Sequence, residues 1–364
     1  MLRSVAKSCL AYAYTHSGMP HLVGRVRPAG SSMPFIVGYH RVVESFDRSR
    51  NSAIPSLLIS TSMLERHIDW FAKRFSLLSL DEIGPRLESN QPFHKPAAAI
   101  TFDDGYADVY YNALPLLKRK GIPSTVFVVT GLIGTGRPQI FDRFYLQLRI
   151  LQQRKLPLAR TVAGALRSTG ADAARIKRVE CASDVPFEVM TTTLNSFAQE
   201  QVESALALLH EQNPIPAHEL EQMTPLTWDM VETMHRQGTT IASHTVSHCL
   251  LASERGDTVR EELINSKKML EARLRAPVNH FAYPDGRFNP AVVKAVHAAG
   301  YRYAYTNCLW RDRNFPLLSI PRKVLWERAC LNALGTFSSS IMSCHIHWLF
   351  DRKDRCEHDH SERL

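Results

Sequence analysis

The sequence contains no apolar run near the length of about 18 residues that crosses a membrane. The first residues place Arg3 and Lys7 before a short apolar patch, which is too broken for a signal-peptide core and is followed by no convincing cleavage site. Residues 1–34 are therefore expected to form an amphipathic helix and a linker. That helix either packs on the domain or rests on an anionic membrane surface.

Cysteine is also sparse, with seven scattered residues, an odd number. This pattern argues against a disulfide framework and favours a reducing compartment. We therefore expect a cytoplasmic protein, with peripheral attachment to the inner membrane as the alternative that the N-terminal segment leaves open.

The charge balance is basic, and no motif for binding RNA or DNA accompanies it. Lys and Arg number 44 against 35 Asp and Glu, a formal net charge of +9. Such an excess suits an acidic polymer, an anionic lipid surface or nucleic acid, and does not choose among them. Without a motif, nucleic acid is not an expected partner. The hydrophobic fraction of 45% is sufficient for a substantial core.

Short apolar runs alternate with segments of helical periodicity along most of the chain. Repeated strand–helix units with continuously apolar strands predict a parallel sheet covered by helices, an α/β fold. Strands are predicted at 35–39, 97–102, 124–130, 239–242, 280–283, 301–305 and 317–320, and helices at 62–75, 108–120, 228–237, 259–273 and 290–299. Polar residues recur where these strands end, and in a barrel of such units the active site forms there.

Two segments depart from this rhythm. Residues from about 136 to 225 lack strand-like runs and are interpreted as a helical insertion, with its best helices at 163–174 and 199–211. The segment 343–364 is charged and rich in histidine, but its spacing matches no standard zinc motif. We expect it to be a solvated tail, so the main domain covers residues 35–342.

Two acids and two imidazoles carry the most specific signal. Asp103 and Asp104 follow one predicted strand, and His244 and His248 follow another. An Asp-Asp-Gly turn alone is common, and His-x-x-x-His alone is weak evidence for a metal. Their joint occurrence at strand ends predicts a site for a divalent ion such as zinc, with one carboxylate left as a base.

The stretches TFDDGY, SHTVSH and FAYPDGR resemble the successive motifs of the polysaccharide deacetylases, the NodB-homology group of carbohydrate esterase family four. The likeness spans about residues 35–325, apart from the insertion. It implies a distorted (β/α) barrel that removes acetyl groups from N-acetylated sugars. By motif, Asp103 is implied as the catalytic base and Asp104, His244 and His248 as metal ligands. The N–H of Tyr106 is implied as a donor to the oxyanion.

Two departures from the family pattern concern the groups around the base. The third motif usually begins with an arginine that orients the catalytic acid, and Ala282 stands there; Arg287 or Arg322 is expected to replace it. The late Leu-x-His motif that supplies the general acid is absent. The segment Gly38 to Val42 resembles an early Tyr-His motif of exopolysaccharide deacetylases, so His40 is the expected acid, against the alternative of a buried structural histidine.

The expected substrate is an N-acetylhexosamine unit of a bacterial polysaccharide, or of its oligosaccharide or lipid-linked precursor. The expected products are acetate and a free amine. Residues expected to contact the substrate are Tyr283, Pro284, Asp285, Gly286, Arg322 and Trp310. Two alternatives remain open: deacetylation or deformylation of a lipid-linked amino sugar, and a catalytically inactive carbohydrate-binding domain. The oligomeric state is not predicted.

Overall fold

The computed structural model describes residues 2–17 and 33–350. The strands are β1 (Phe35–Tyr39), β2 (Arg41–Val43), β3 (Leu58–Ser60), β4 (Ser76–Leu77), β5 (Ala97–Phe102), β6 (Ser124–Val128), β7 (Thr240–Ser243), β8 (His280–Ala282), β9 (Tyr303–Thr306) and β10 (Ile320–Val324). The α-helices are Leu2–His16, Phe46–Ser49, Thr61–Ala72, Leu80–Glu88, Leu114–Lys120, Ile140–Gln153, Leu158–Arg167, Ala173–Glu180, Pro186–Leu194, Gln199–Gln212, Ala217–Glu221, Trp228–Arg236, Gly256–Leu274, Pro290–Ala298 and Ser339–Ile346.

The strands close into a parallel barrel in the order β1-β10-β9-β8-β7-β6-β5, and β5 pairs back with β1. The closing register sets Val37 opposite Ile100 and Gly38 opposite Thr101. Strand β4 adds to the beginning of β5, and β2 and β3 form a separate parallel pair. The predicted (β/α) barrel is therefore confirmed. Because all the barrel strands are parallel, their carboxyl ends meet at one end of the barrel.

Alternation along the strands divides the core into two layers. Ile36 points into the barrel with Ala99 and Phe127, whereas Val37 and Tyr39 pack with the outer helices. The helix Leu80–Glu88 packs its buried Leu80 and Ile83 against the interior cluster. Its Gly84 is required by close approach, since a Cβ there would lie 2.5 Å from the ring of Tyr303.

The insertion is helical and has a hydrophobic core of its own. This core joins the main domain through Val43, Phe46 and Tyr106. The predicted helix at 163–174 is wrong in its bounds: one helix ends at Arg167 and the next begins at Ala173. Gly170 between them has a φ of +70°, which the right-handed helix does not allow.

The predicted strand at 317–320 is also misplaced. Pro316–Leu318 forms a 3₁₀ turn, with proline at its first position, and β10 begins only at Ile320. The apolar residues before β10 suggested a strand that begins too early. Strand β10 itself did not look apolar, because it carries Arg322, whose side chain points into the barrel and is 1% exposed.

The two ends of the described chain pack together. The helix Leu2–His16 lies against Ser339–Ile346, with Thr15 Oγ1 donating to Ser340 Oγ at 3.0 Å and Lys7 Nζ to the Ala329 carbonyl at 2.9 Å. The structure therefore shows the N-terminal helix packed on the domain. Contact of this helix with a membrane stays a prediction. The prediction of a solvated tail from residue 343 is wrong at its start, because Cys344 and His345 are buried. Residues 351–364, the rest of that tail, lie outside the described residues.

No helix in the described part of the chain is both long enough and apolar enough to span a membrane.

Candidate active site

The barrel's carboxyl end and the insertion together enclose a cavity of about 350 Å³. His40 follows β1, Asp103 and Asp104 follow β5, and His244 and His248 follow β7; all five line the cavity. Backbone hydrogen bonds of the sheet continue as far as Asp103 and His244. The Asp103 N–H donates to the Tyr39 carbonyl at 2.9 Å, and the His244 N–H donates to the Val128 carbonyl at 3.0 Å. The strand ends therefore bring together groups that are 141 residues apart in the chain (103 to 244).

Asp104, His244 and His248 form a cluster suited to a metal ion. One ligand atom from each lies within 4.8 Å of the others. His248 Nε2 is 3.2 Å and His244 Nε2 3.5 Å from Asp104 Oδ1. His244 Nδ1 lies 2.8 Å from the Ala282 carbonyl, a contact that holds the proton on Nδ1 and leaves Nε2 free to bind.

The burial of this cluster tests whether a cation fits it. Asp104 is 2% exposed, and its Oδ1 lies close to His244 and His248 without a well-formed hydrogen bond from either. A buried carboxylate that lacks well-formed hydrogen bonds is costly, and a divalent ion between it and the two imidazoles would satisfy it. Burial raises the pKa of Asp104, but His244 and His248 outweigh burial and hold that pKa below its usual range. The donor set of one carboxylate and two imidazoles fits zinc or a similar ion.

Asp103 is held by Arg322 from inside the barrel. Arg322 Nη1 donates to Oδ1 at 2.6 Å and Nη2 to Oδ2 at 2.5 Å, a bidentate pair in which the two side chains are 1% and 2% exposed. The guanidinium also lies over the ring of Phe127, 5.2 Å from its centroid. Arg287, the other candidate for this role, instead pairs with Asp285 at 2.9 Å. Of the two candidate arginines, Arg322 is therefore the one that binds Asp103, the predicted base.

His40 lies on the other side of Asp103, with Nε2 3.9 Å from Asp103 Oδ2. Its buried Nδ1 has no hydrogen-bond partner among the described residues. Burial lowers the pKa of this imidazole, against the raising effect of Asp104 and Asp103. His40 therefore lies at the cavity beside Asp103, and its role as the acid stays a prediction.

The loop after β5 has a backbone that most residues avoid. Asp104 has a φ of 70°, and Gly105 after it also has a φ of 70°. A Cβ on Gly105 would also lie 3.2 Å from Val128. Both the backbone conformation and the lack of space therefore favour glycine at this position. His248 is likewise left-handed, at 62°. Each such non-glycine residue costs roughly 1–3 kcal/mol, and strain of this kind concentrates at functional sites.

The same loop is tied to the insertion by polar contacts. The hydroxyl of Tyr106 donates to Asp142 at 2.5 Å, and Gln139 Nε2 donates to the Asp104 carbonyl at 3.1 Å. The chain at the end of the insertion closes the loop from its other side, since the Leu226 N–H donates to the Gly105 carbonyl at 2.8 Å. These bonds fix the peptide that carries the Tyr106 N–H, the predicted oxyanion donor. The side chain of Tyr106 is buried and links the loop to the insertion through Asp142.

Of the residues predicted to contact substrate, Asp285 alone lines the cavity. Tyr283 is fully buried and its hydroxyl donates to the Leu318 carbonyl at 2.7 Å, so that prediction is corrected. Arg322 binds Asp103 and does not face substrate. Trp310 packs against Phe288, with ring centroids 5.4 Å apart. Pro284 and Gly286 are buried in the turn that presents Asp285.

Several cavity residues were not predicted. Asn307 follows β9, lines the cavity, and has a buried Oδ1 without a hydrogen-bond partner among the described residues. The strand-end rule that identified Asp103 would have found it. Trp326, just beyond β10, and the apolar residues of the insertion also line the cavity. No sequence pattern predicted that these residues line the cavity, because their orientation depends on how the insertion folds.

A family model described as "Polysaccharide deacetylase" matches residues 90–165 and 181–304, more than half of the chain. The chain belongs to the polysaccharide deacetylase family. The family predicted from the three motifs is thus confirmed, and membership supports the predicted enzyme class, hydrolysis of a carbon–nitrogen bond other than a peptide bond.

Curated relatives carry names from the same family. YxkH of Bacillus subtilis, whose name assigns it to the polysaccharide deacetylases, is 20% identical over 69% of this chain and 59% of its own length. The poly-beta-1,6-N-acetyl-D-glucosamine N-deacetylase of Staphylococcus aureus is 31% identical over 27% of this chain and 36% of its own length. The chain therefore spans less than two thirds of the length of these curated relatives.

Solved structures agree on the fold. The deacetylase PplD of Streptococcus pyogenes, in complex with acetate, superposes with a TM-score of 0.52 at 19% identity and covers 82% of this chain and 94% of its own. A polysaccharide deacetylase from Bacillus cereus gives a TM-score of 0.52 at 14% identity, over 86% of this chain and 69% of its own. At these identities, the likeness shows the barrel fold.

Proposed function

We propose that this protein is a divalent-metal-dependent N-deacetylase that acts on N-acetylhexosamine units of a bacterial polysaccharide or its oligosaccharide precursor. One observation carries the proposal: Asp103, clamped by Arg322, lies directly beside the Asp104–His244–His248 cluster at the floor of the cavity. A carboxylate base next to a cluster that fits zinc is an arrangement that can hydrolyse an amide. Family membership and the name of the S. aureus relative support the choice of N-acetylated sugars.

The roles of the chain's own groups follow from their positions. Asp104, His244 and His248 would hold the ion, which when bound polarises an amide carbonyl and lowers the pKa of water. Asp103 is oriented to take a proton from the attacking water. By its place in the motif, the Tyr106 N–H would stabilise negative charge on the carbonyl oxygen. His40 is placed to give a proton to the departing sugar nitrogen, which releases acetate and a free amine.

An inactive carbohydrate-binding domain is the weaker alternative. The absence of the family's usual arginine and late histidine motivated it, but Arg322 and His40 both lie beside Asp103. A merely structural role would not require a buried Asp104 close to two imidazoles without a well-formed hydrogen bond from either.

The test is release of free amine and acetate from β-1,6- and β-1,4-linked N-acetylglucosamine oligomers, with and without a chelator. We expect turnover that the chelator abolishes and that added Zn²⁺ restores. Asp103→Asn is the matched control: it should keep the metal, measured by elemental analysis, and lose turnover. Turnover that is unaffected by a chelator would overturn the metal dependence, and equal turnover by Asp103→Asn would overturn the role of the base.

A cytoplasmic location, and any contact with an anionic membrane, also remain proposals.

A further inference from the structure

The cavity extends well beyond the catalytic groups, into the insertion. From the floor with Asp103 and His248, it continues between the helices Pro186–Leu194 and Gln199–Gln212. Its volume of about 350 Å³ is far more than the methyl of an acetyl group requires. The part of the cavity enclosed by the insertion, here called the chamber, therefore accommodates another part of the substrate.

The chamber walls are apolar. Met190 and Phe197 line it and are 3% exposed each, and Val202 is 1% exposed. Leu57 and Ile54 complete the wall from the barrel side. A sugar ring placed there would find few free polar partners for its hydroxyls.

Five polar side chains interrupt these walls: Ser56, Thr191, Asn195, Gln199 and Glu254. The Thr191 hydroxyl already donates to the Phe187 carbonyl at 2.9 Å within its own helix. Gln199 Nε2 donates to the Ser247 carbonyl at 2.9 Å, and Glu254 accepts from the Gln199 N–H at 3.1 Å. The chamber therefore offers mainly dispersion contacts and release of water, which suit an alkyl chain.

The mouth of the chamber is apolar as well. Phe187 lines the cavity while 45% exposed. By contrast, the polar residues Asp285 and Asn307 line the cavity with the catalytic groups. The cavity is thus polar at the reacting end and mainly apolar from there to the solvent.

We propose that the substrate is an amphiphile: an N-acylated amino sugar that carries an alkyl chain, with the amide at Asp103 and the chain in the chamber. This inference rests on the proposed function and specifies its substrate class. The chain belongs either to a lipid attached to the sugar or to the N-acyl group itself, and the experiment distinguishes these sources. No change in the hydrolytic step is needed, since water cleaves the same amide bond.

Burial of each methylene contributes about 0.8 kcal/mol, which corresponds to about fourfold in kcat/KM. The first series of substrates is N-acetylglucosamine as methyl, butyl and octyl β-glycosides. The second is glucosamine N-acylated with acetyl, butanoyl or octanoyl groups. Free amine is measured below the micellar concentration, with an N-acetylglucosamine oligomer as reference. We expect kcat/KM to rise at least tenfold from the shortest to the longest chain in one series, which identifies the source of the chain.

The matched variants are Met190→Gln in the chamber and Met269→Gln on an outer helix, where Met269 is 37% exposed. Met190→Gln should flatten the rise with chain length, and Met269→Gln should keep it. If Met190→Gln fails to fold, as judged by circular dichroism, Phe187→Ser at the exposed mouth takes its place.

The outcomes separate the two proposals. No dependence on chain length in either series, with cleavage of the oligomer intact, overturns the alkyl-chain inference and leaves the proposed function standing. No amine from any substrate overturns both. A rise with chain length that Met190→Gln and Phe187→Ser both leave unchanged places the chain elsewhere and overturns the assignment to the chamber.

Discussion

Replacing Arg322 by lysine tests whether this arginine positions the base. Arg322 binds Asp103 through two charge-assisted hydrogen bonds, of 2.6 and 2.5 Å, inside the barrel. Lysine keeps the positive charge but cannot reproduce the planar fork. Loss of one such bond costs roughly 1.5–3 kcal/mol, and if this falls on the transition state, kcat drops by about 10- to 150-fold.

The change should appear in kcat and not in KM, because Arg322 is 1% exposed and does not line the cavity. The assay is steady-state amine release from an N-acetylglucosamine oligomer, with zinc content and thermal melting measured on the same preparation. Arg302→Lys is the matched control, since Arg302 pairs with Glu88 at the surface and such pairs contribute little. A folded, zinc-loaded Arg322→Lys with kcat within twofold of wild type would refute the positioning role.

Three further predictions concern the metal, the packing and the pH dependence of stability. His248→Ala should lower zinc content by at least tenfold without unfolding the chain, and full occupancy would exclude His248 as a ligand. Gly84→Ala should lower the free energy of unfolding by about 1–3 kcal/mol, because its Cβ would overlap the Tyr303 ring, whereas Gly164→Ala, with open space around it, should be neutral or stabilising; equal melting temperatures would contradict this. Burial raises the pKa of Asp142 to about 7, despite Arg41 and the Tyr106 hydroxyl nearby. A carboxyl that binds its proton more tightly in the folded state makes stability fall as pH rises from about 4 to 7, so Asp142→Asn should reduce that fall in urea titrations.

The sequence was sufficient for the parts of the fold that depend on local pattern. Strand β5 is six apolar or small residues, all buried, followed by two acids. A short unbroken run of this kind is typical of a parallel strand that is covered on both faces. Two helix ends carry standard sequence signals: Ser60 accepts from the Met63 N–H as a cap, and Gly121, in the left-handed region, ends the helix before it. Strands β2, β3 and β4 were missed because they have three, three and two residues, too few to show a period.

Part of the candidate site could likewise be predicted from the local sequence, and part could not. Asp103, Asp104, His244 and His248 were found from the sequence, because each lies at or just after a strand end and parallel strands bring those ends together. His40 was expected as the acid, and the structure places it at the site, although its role stays a prediction. Arg322 was only one of two candidates, since which side of a short strand faces the barrel interior depends on the register of its neighbours.

By itself, the sequence determined which acids and imidazoles follow the strands, and that parallel strands bring them to one end of a barrel. The tertiary structure decided what surrounds these side chains. Arg322 reaches Asp103 only because the closed barrel points it inward. The apolar chamber exists only because residues such as Met190 and Val202, on two helices of the insertion, face the same cavity. Contacts of this kind depend on the relative positions of elements distant in the chain, which no local periodicity encodes.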